Sequence, residues 1–228
     1  MSIAARLDEV RARLVRAARA SGRDPASIAL VAVSKAQPAE AVREAFAAGQ
    51  RAFGENYAQE LVAKSAALAD LPGIVWHFVG HLQTNKARVA ARCAHVVHTV
   101  DSAALARELG KRAARERPDG SAPMPVLIEV NVGGEPQKAG AAPAEIDEVA
   151  EAVRAAPALE LRGLMTVPPA GDPARARAVF ETLASLRDLH GGPAALPELS
   201  MGMTADFEVA VACGATIVRV GTAIFGAR

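Results

Sequence analysis

Apolar positions along this chain follow two rhythms that alternate from one end to the other. Ile3, Leu7, Val10 and Leu14 recur every third or fourth residue, the spacing that lines one face of a helix. Directly afterwards "SIALVAVSK" is an almost unbroken apolar run closed by Ser34 and Lys35. A strand with one face in water would alternate, whereas a strand covered on both faces reads as a continuous run. Strand patterns of this kind return at "RAFGE", "GIVWHFVG", "AHVVHTV", "MPVLIEVNV", "LELRGLMTV", a short one near "PELSMG", and "ATIVRVG". Helical patterns separate them. These are "PAEAVREAFAAG", which Gly49 closes, a stretch from about Asn56 to Ala69, "TNKARVAARC", "SAALARELGKRAARER", which Asp101 or Ser102 caps, "APAEIDEVAEAVRAA", "PARARAVFETLASLRDLHG" and "TADFEVAVACG". Eight such steps predict a single α/β domain over residues 1–228, a (β/α)8 TIM-type barrel with an extra N-terminal helix. An open doubly wound sheet would use fewer strands and a Gly-rich turn after the first, and here the first strand ends in Lys35.

Composition narrows the partners. The chain has 228 residues, 51% of them hydrophobic, which is enough for a substantial core. A net charge of +1 lacks the basic excess that phosphate backbones require, so no nucleic-acid partner is expected. No apolar run approaches the roughly 18 residues that span a bilayer, so no membrane partner is expected either. Cys93 and Cys213 lie far apart with no secretory signal before them, which suits two reduced thiols in the cytoplasm. The first helix is Arg-rich enough to suggest a transit peptide, but Asp8, Glu9 and its direct run into the first strand favour an ordinary structural helix. Arginine outnumbers lysine 21 to 5, a compositional bias that makes Lys35, the only lysine among the first sixty residues, stand out.

In a barrel the chemistry gathers at the C-terminal ends of the strands. Those ends here carry Lys35, "FGEN", "HFVGH", "NVGGEPQK", "LMTVP", "LSMGMT" and "RVGTAIFG". "SMGMT" sets a serine, a glycine and a threonine before a helix, and "VGTA" offers backbone N–H groups at Gly221 and Thr222 beside a hydroxyl. These are the loops after strands seven and eight, where barrels commonly hold phosphate. The plain alternative is that the glycines only turn the chain and the hydroxyls cap helices. Alternation puts Ile217, Arg219 and Gly221 on one face of the last strand, and an arginine there needs a partner, such as Glu129 or Asp206. A lysine desolvated at a strand end can attack a carbonyl and form a Schiff base, although most such lysines are simply solvated. His77 and His81 read as satisfied residues at the barrel mouth more readily than as catalytic groups, and no histidines, cysteines and carboxylates fall at metal-ligand spacing.

Taken together, "LVAVSK", "FGENYAQE", "WHFVGHLQTNK", "LRGLMTVP" and "LSMGMTADFEVAVACGATIVRVGTAIFG", in that order, resemble the pyridoxal phosphate homeostasis protein family. Members of that family are PLP-binding barrels related to the N-terminal domain of alanine racemases. The resemblance covers nearly the whole chain and implies pyridoxal 5′-phosphate as cofactor, held as a Schiff base on Lys35. It implies Asn56 beside the cofactor, Arg219 facing the pyridine nitrogen, and Ser200, Gly221 and Thr222 holding the phosphate, with Thr204 where the family often has serine. "NVGGEPQKAG" matches more loosely, so Lys138 serves as surface charge or as a secondary site for the aldehyde.

The resemblance further implies a cytoplasmic monomer that acts in vitamin B6 and amino-acid balance without robust catalysis, with PLP-dependent apoenzymes as candidate recipients. A cationic partner at the pyridine nitrogen makes the ring a weaker electron sink than an aspartate would. Racemases with that arrangement use a second base from another domain, and the sequence ends at Arg228, just after the eighth strand. Its one tyrosine, Tyr57, is no obvious substitute. Two alternatives stay open: a PLP-dependent amino-acid racemase, and a phosphosugar isomerase that uses the phosphate site with Glu129 as base.

Overall fold

The computed structural model describes residues 1–135, 138–169 and 171–226. Strands and helices follow one another as α1 (Ile3–Ala20), β1 (Ala29–Val33), α2 (Ala39–Ala47), β2 (Ala52–Glu55), α3 (Ala58–Ala67), β3 (Val75–Phe78), α4 (Ala87–Cys93), β4 (Val96–Val100) and α5 (Ala103–Glu116). The second half adds β5 (Met124–Glu129), α6 (Ile146–Arg154), β6 (Leu159–Met165), α7 (Pro173–Leu189), α8 (Gly192–Ala195), β7 (Glu198–Ser200), α9 (Phe207–Ala212), β8 (Ile217–Val220) and α10 (Thr222–Phe225). All eight strands are parallel and pair in chain order, and β8 pairs with β1, with Ala29 opposite Ile217 and Val31 opposite Arg219. That last pairing closes the barrel expected from the alternating pattern.

The strands read as apolar runs because each is covered twice. Their outward side chains, among them Phe53, Trp76, Phe78, Val97, Val126 and Val218, pack under the helices in one continuous core. Each large side chain buried there stabilises the fold by about 1.5–3 kcal/mol relative to exposure. Inside the barrel a smaller apolar cluster, Val31, Leu127, Met165 and Ile217, fills the space between facing strands. One pleat further along β4, β5 and β8 the inward side chains change to His98, Glu129 and Arg219. The interior is therefore oily at depth and polar towards the strands' C-terminal ends. The extra helix α1 buries Ile3, Leu7, Val10 and Leu14. Its Arg6 donates to the Ile224 and Phe225 carbonyls at 2.6 and 3.3 Å, tying it to the one-turn α10.

Several elements differ from the periodicity. β1 stops at Val33, so Lys35 lies in a turn beyond the strand, because Ala36 adopts φ +58°. α3 begins at Ala58, two residues later than the pattern suggests, leaving Asn56 in the connection. α8 went unpredicted, since "GPAA" carries no apolar period. Cys93 and Cys213 are free thiols. Among the described residues no helix is long and apolar enough to cross a membrane.

Candidate functional site

A cavity of about 370 Å³ opens at the C-terminal ends of the strands, within the size range of small-ligand sites. Lys35, Asn56, Thr204, Arg219, Gly221 and Thr222 line it, together with Val33, Gln37, Val79, Val167, Met203 and Phe225. Residues from both ends of the sequence meet here because β8 closes on β1.

Two glycines allow the walls to come this close. A Cβ on Gly80 would lie 2.2 Å from the Asn56 carbonyl oxygen, so only glycine lets the loop after β3 press on Asn56. A Cβ on Gly221 would meet the Val33 carbonyl at 3.1 Å. Asn56 is held in this way with its side-chain Oδ1 buried and without a hydrogen-bond partner. A buried acceptor left unsatisfied is costly, and a ligand donor in the cavity would relieve it. Opposite, the loops after β7 and β8 face each other, with the Ala223 N–H 3.5 Å from Thr204 Oγ1. The Asp206 carboxylate accepts the Met203 N–H at 2.6 Å and fixes the turn that carries Thr204.

Inside the barrel a chain of hydrogen bonds leads to Arg219. Its guanidinium donates to Ser200 Oγ at 2.6 Å and to the Thr166 carbonyl at 2.9 Å. Ser200 Oγ lies 2.8 Å from His98 Nδ1, and His98 Nε2 lies 2.8 Å from His77 Nδ1. Arginine can only donate, so Ser200 Oγ accepts from Arg219; a serine proton given on to His98 Nδ1 would leave the His98 proton on Nε2, facing His77 Nδ1. Burial, with a smaller push from His95, lowers His77 to about 4. His98 is driven well below 6.5 by burial first and then by His77 and Arg219. Both rings are neutral at neutral pH, and Arg219 supplies the positive charge of this network. Burial brings Arg219 down to about 10, against the pull of Glu129 and Asp206. Glu129, at the end of β5, is raised to about 7 by burial and by Asp101, with Arg219 acting the other way. Its Oε2 is buried without a partner.

A second buried network lies outside β1, under α3. Lys64 Nζ donates to the Ser34 carbonyl at 2.6 Å, to Glu55 Oε1 at 2.7 Å and to Glu60 Oε2 at 2.8 Å. Ser34 Oγ donates to the same Glu55 oxygen at 2.6 Å. Burial raises the Glu55 carboxyl despite Lys64 and Ser34, whereas for Glu60 the bonds from Lys64 and the Ala36 amide outweigh the effect of burial and lower it.

Several expectations about individual residues change. Ser200 does not line the cavity: it is buried, and its hydroxyl is spent between His98 and Arg219. Arg219 donates its hydrogen bonds to a hydroxyl and a carbonyl, while Glu129 and Asp206 act on it only through their charge. His77 sits in the interior beside His98, while His81 is exposed at the mouth, 3.4 Å from Asp101. Lys138 pairs with Glu135 at 2.8 Å, and its Nζ lies 3.5 Å from the carbonyl of the cavity-lining Val167. Its neighbours 136 and 137 fall outside the described residues.

Sequence reasoning missed His98 and Lys64. Both were detectable as misfits: a histidine among the apolar residues of "VVHTV", and a lysine on the face of α3 that Ala58 and Leu61 bury.

This arrangement, a closed parallel barrel with a lysine after its first strand and a buried arginine in its last, belongs to a recognised class. The family described as alanine racemase, N-terminal domain, matches residues 5–228. A pyridoxal phosphate homeostasis protein of Pseudomonas aeruginosa is 50% identical over 100% of this chain and 96% of its own length. The corresponding protein of Escherichia coli K12 is 44% identical over 99% of this chain and 97% of its own. PipY of Synechococcus elongatus, solved with PLP bound, superposes with a TM-score of 0.82 at 39% identity, covering 99% of this chain and 100% of that one. The chain belongs to the pyridoxal phosphate homeostasis protein family.

Proposed function

We propose that this chain, as one binding domain over residues 1–228, holds pyridoxal 5′-phosphate as a Schiff base on Lys35. Its role is then to keep intracellular PLP masked and available. The observation that carries the reading is the convergence on one cavity of Lys35, Arg219 and the paired loops of Thr204, Gly221 and Thr222. The unsatisfied Asn56 Oδ1 supports it, since a polar side chain buried without a partner in the cavity wall is a group left over for a ligand. PipY, similar over the whole chain, is solved with PLP bound, which supports the same cofactor here.

Bound pyridoxal phosphate supplies an aldehyde that captures amines and a ring that withdraws electrons. Lys35 would provide the amine. Thr204, Gly221 and Thr222 would hold the phosphate, and Asn56 would orient the ring. Arg219 would face the pyridine nitrogen and keep a proton off it, because two positive charges side by side repel. Ser200 keeps Arg219 aimed. A ring held unprotonated stabilises substrate carbanions weakly, which favours a carrier over an enzyme. The reading includes a cytoplasmic monomer acting in vitamin B6 and amino-acid balance, with PLP-dependent apoenzymes as recipients.

The test is the visible spectrum of the purified protein after addition of PLP, beside Lys35→Ala, with borohydride trapping and peptide mass analysis. The expected result is a band trapped on Lys35 and lost in the variant. Trapping spread over other lysines would sink the reading. A racemase remains the competing activity, because Glu129, near pH 7 in the same barrel, is a group able to exchange a proton at neutral pH. Exchange of a substrate α-hydrogen with deuterated solvent would favour it, and no exchange favours the carrier.

A further inference from the structure

Lys35 occupies a turn whose conformation its own sequence does not favour. The Gln37 N–H donates to the Ser34 carbonyl at 3.0 Å, so residues 34–37 form a four-residue turn. Its third residue, Ala36, has φ +58° and is the only described non-glycine residue with a positive φ. Turns of this kind ask for glycine at that place, because a Cβ is disfavoured there. A conformation that local propensity opposes persists only when its surroundings hold it.

The surroundings that hold this turn are the buried Lys64 network. The carbonyl that closes the turn, Ser34 O, accepts from Lys64 Nζ at 2.6 Å. The amide of the strained residue, Ala36 N, donates to Glu60 Oε2 at 2.7 Å. Lys64 holds that same Glu60 oxygen at 2.8 Å, and its third proton goes to Glu55, in the strand beside β1. Three acceptors thus use all three donors of one ammonium. The first and third residues of the turn are tied to one buried cation, Ser34 directly and Ala36 through Glu60. Ser34 and Glu55 face the helix layer, while Val33 and Lys35 line the cavity, so the clamp grips the turn from the side opposite the ligand.

We propose that Lys64 and Glu60 are positioning residues for Lys35: the ammonium tripod under α3 holds the Ser34–Gln37 turn in the one conformation that sends the Lys35 side chain into the cavity. The inference rests on Lys35 as the attachment point for PLP, but part of its test is independent of that reading. Lys64→Met would strand two carboxylates and threaten the fold, so the informative change is Glu60→Ala, beside Glu60→Gln. Glutamine keeps an oxygen for the Ala36 amide and alanine does not. In the cofactor-free protein, the Ala36 amide of Glu60→Ala is expected to exchange with solvent about tenfold faster or more, with Glu60→Gln close to wild type. With PLP added, the apparent Kd for the band trapped on Lys35 is expected to rise about five- to tenfold in Glu60→Ala, and glutamine should rescue it. A purely structural role for the network would lower thermal stability in Glu60→Ala while leaving Ala36 exchange and PLP affinity at wild-type values, and that outcome overturns the proposal. Wild-type protein that fails to trap PLP on Lys35 would overturn the cofactor reading instead, and the exchange measurement would still decide the clamp.

Discussion

Outside β1 the buried cation Lys64 is bonded to two carboxylates and a carbonyl; inside the barrel the buried cation Arg219 is bonded to a hydroxyl and a carbonyl. Both sit within a few residues of the same cavity, yet they do different work. The outer network neutralises its cation with full charges, so what it delivers to the site is geometry. The inner network leaves its cation electrostatically uncompensated at hydrogen-bond range, because its other members are two neutral imidazoles and a serine. What it delivers is charge, focused by a low-dielectric wall. A buried charge is tolerated in either form, but only the second kind remains free to act on a ligand.

The comparison makes predictions that can break it. The largest effect is expected from Lys64→Met, which leaves Glu55 and Glu60 facing each other without their cation and should cost about 3–5 kcal/mol in denaturant unfolding. Arg219→Met strands no bonded carboxylate and should cost less, about 1–3 kcal/mol for the hydroxyl and carbonyl it abandons. A larger loss for Arg219→Met than for Lys64→Met would reverse the assignment of the two networks.

Next comes pH. Glu129 has a folded value of about 7 against an ordinary 4.5, so between those values the native state holds this proton more tightly than the unfolded chain. The stability it contributes is full below pH 4.5 and is lost as pH rises through 7, a change on the order of 3 kcal/mol. Glu129→Gln cannot ionise. It is expected to match wild type at pH 4 and to be the more stable protein at pH 8, as read from melts across that range.

Ser200→Ala should cost about 1–3 kcal/mol, because Arg219 and His98 each lose one of their two partners in a dry interior. It should also scramble the proton order of the two histidines, visible in the imidazole nitrogen resonances as a loss of the single tautomer. Retention of that tautomer would mean the order is imposed from elsewhere. The smallest effect is expected for Glu60→Gln, below about 1 kcal/mol, since the half-buried acceptor survives and Glu55 still balances Lys64. A larger loss would show that the outer network depends on Glu60's charge as well as on its oxygen.

Much of this protein was legible in its residues taken in order. Continuous apolar runs separated by helical periods announced a barrel because strands covered on both faces leave that trace in any sequence. Lys35, Asn56, Thr204, Arg219, Gly221 and Thr222 could be proposed as one site from their places at strand ends and from motifs that resemble a known family. The pleat put Arg219 on the same face as Ile217 and Gly221. Other features had no local trace. His98 and Ser200 stand 102 residues apart and share one hydrogen bond, and Lys64 reaches the Ser34 carbonyl across 30 residues of chain. Ser200, read as a phosphate ligand in its motif, has its hydroxyl between His98 and Arg219, because closure of the barrel sets strands four and eight within reach of strand seven's inward face. Periodicity records which face of an element is buried. What that face meets is decided by register and closure, which depend on all eight strands at once, and so only the tertiary structure decided which buried charge would be sealed and which would be left to the ligand.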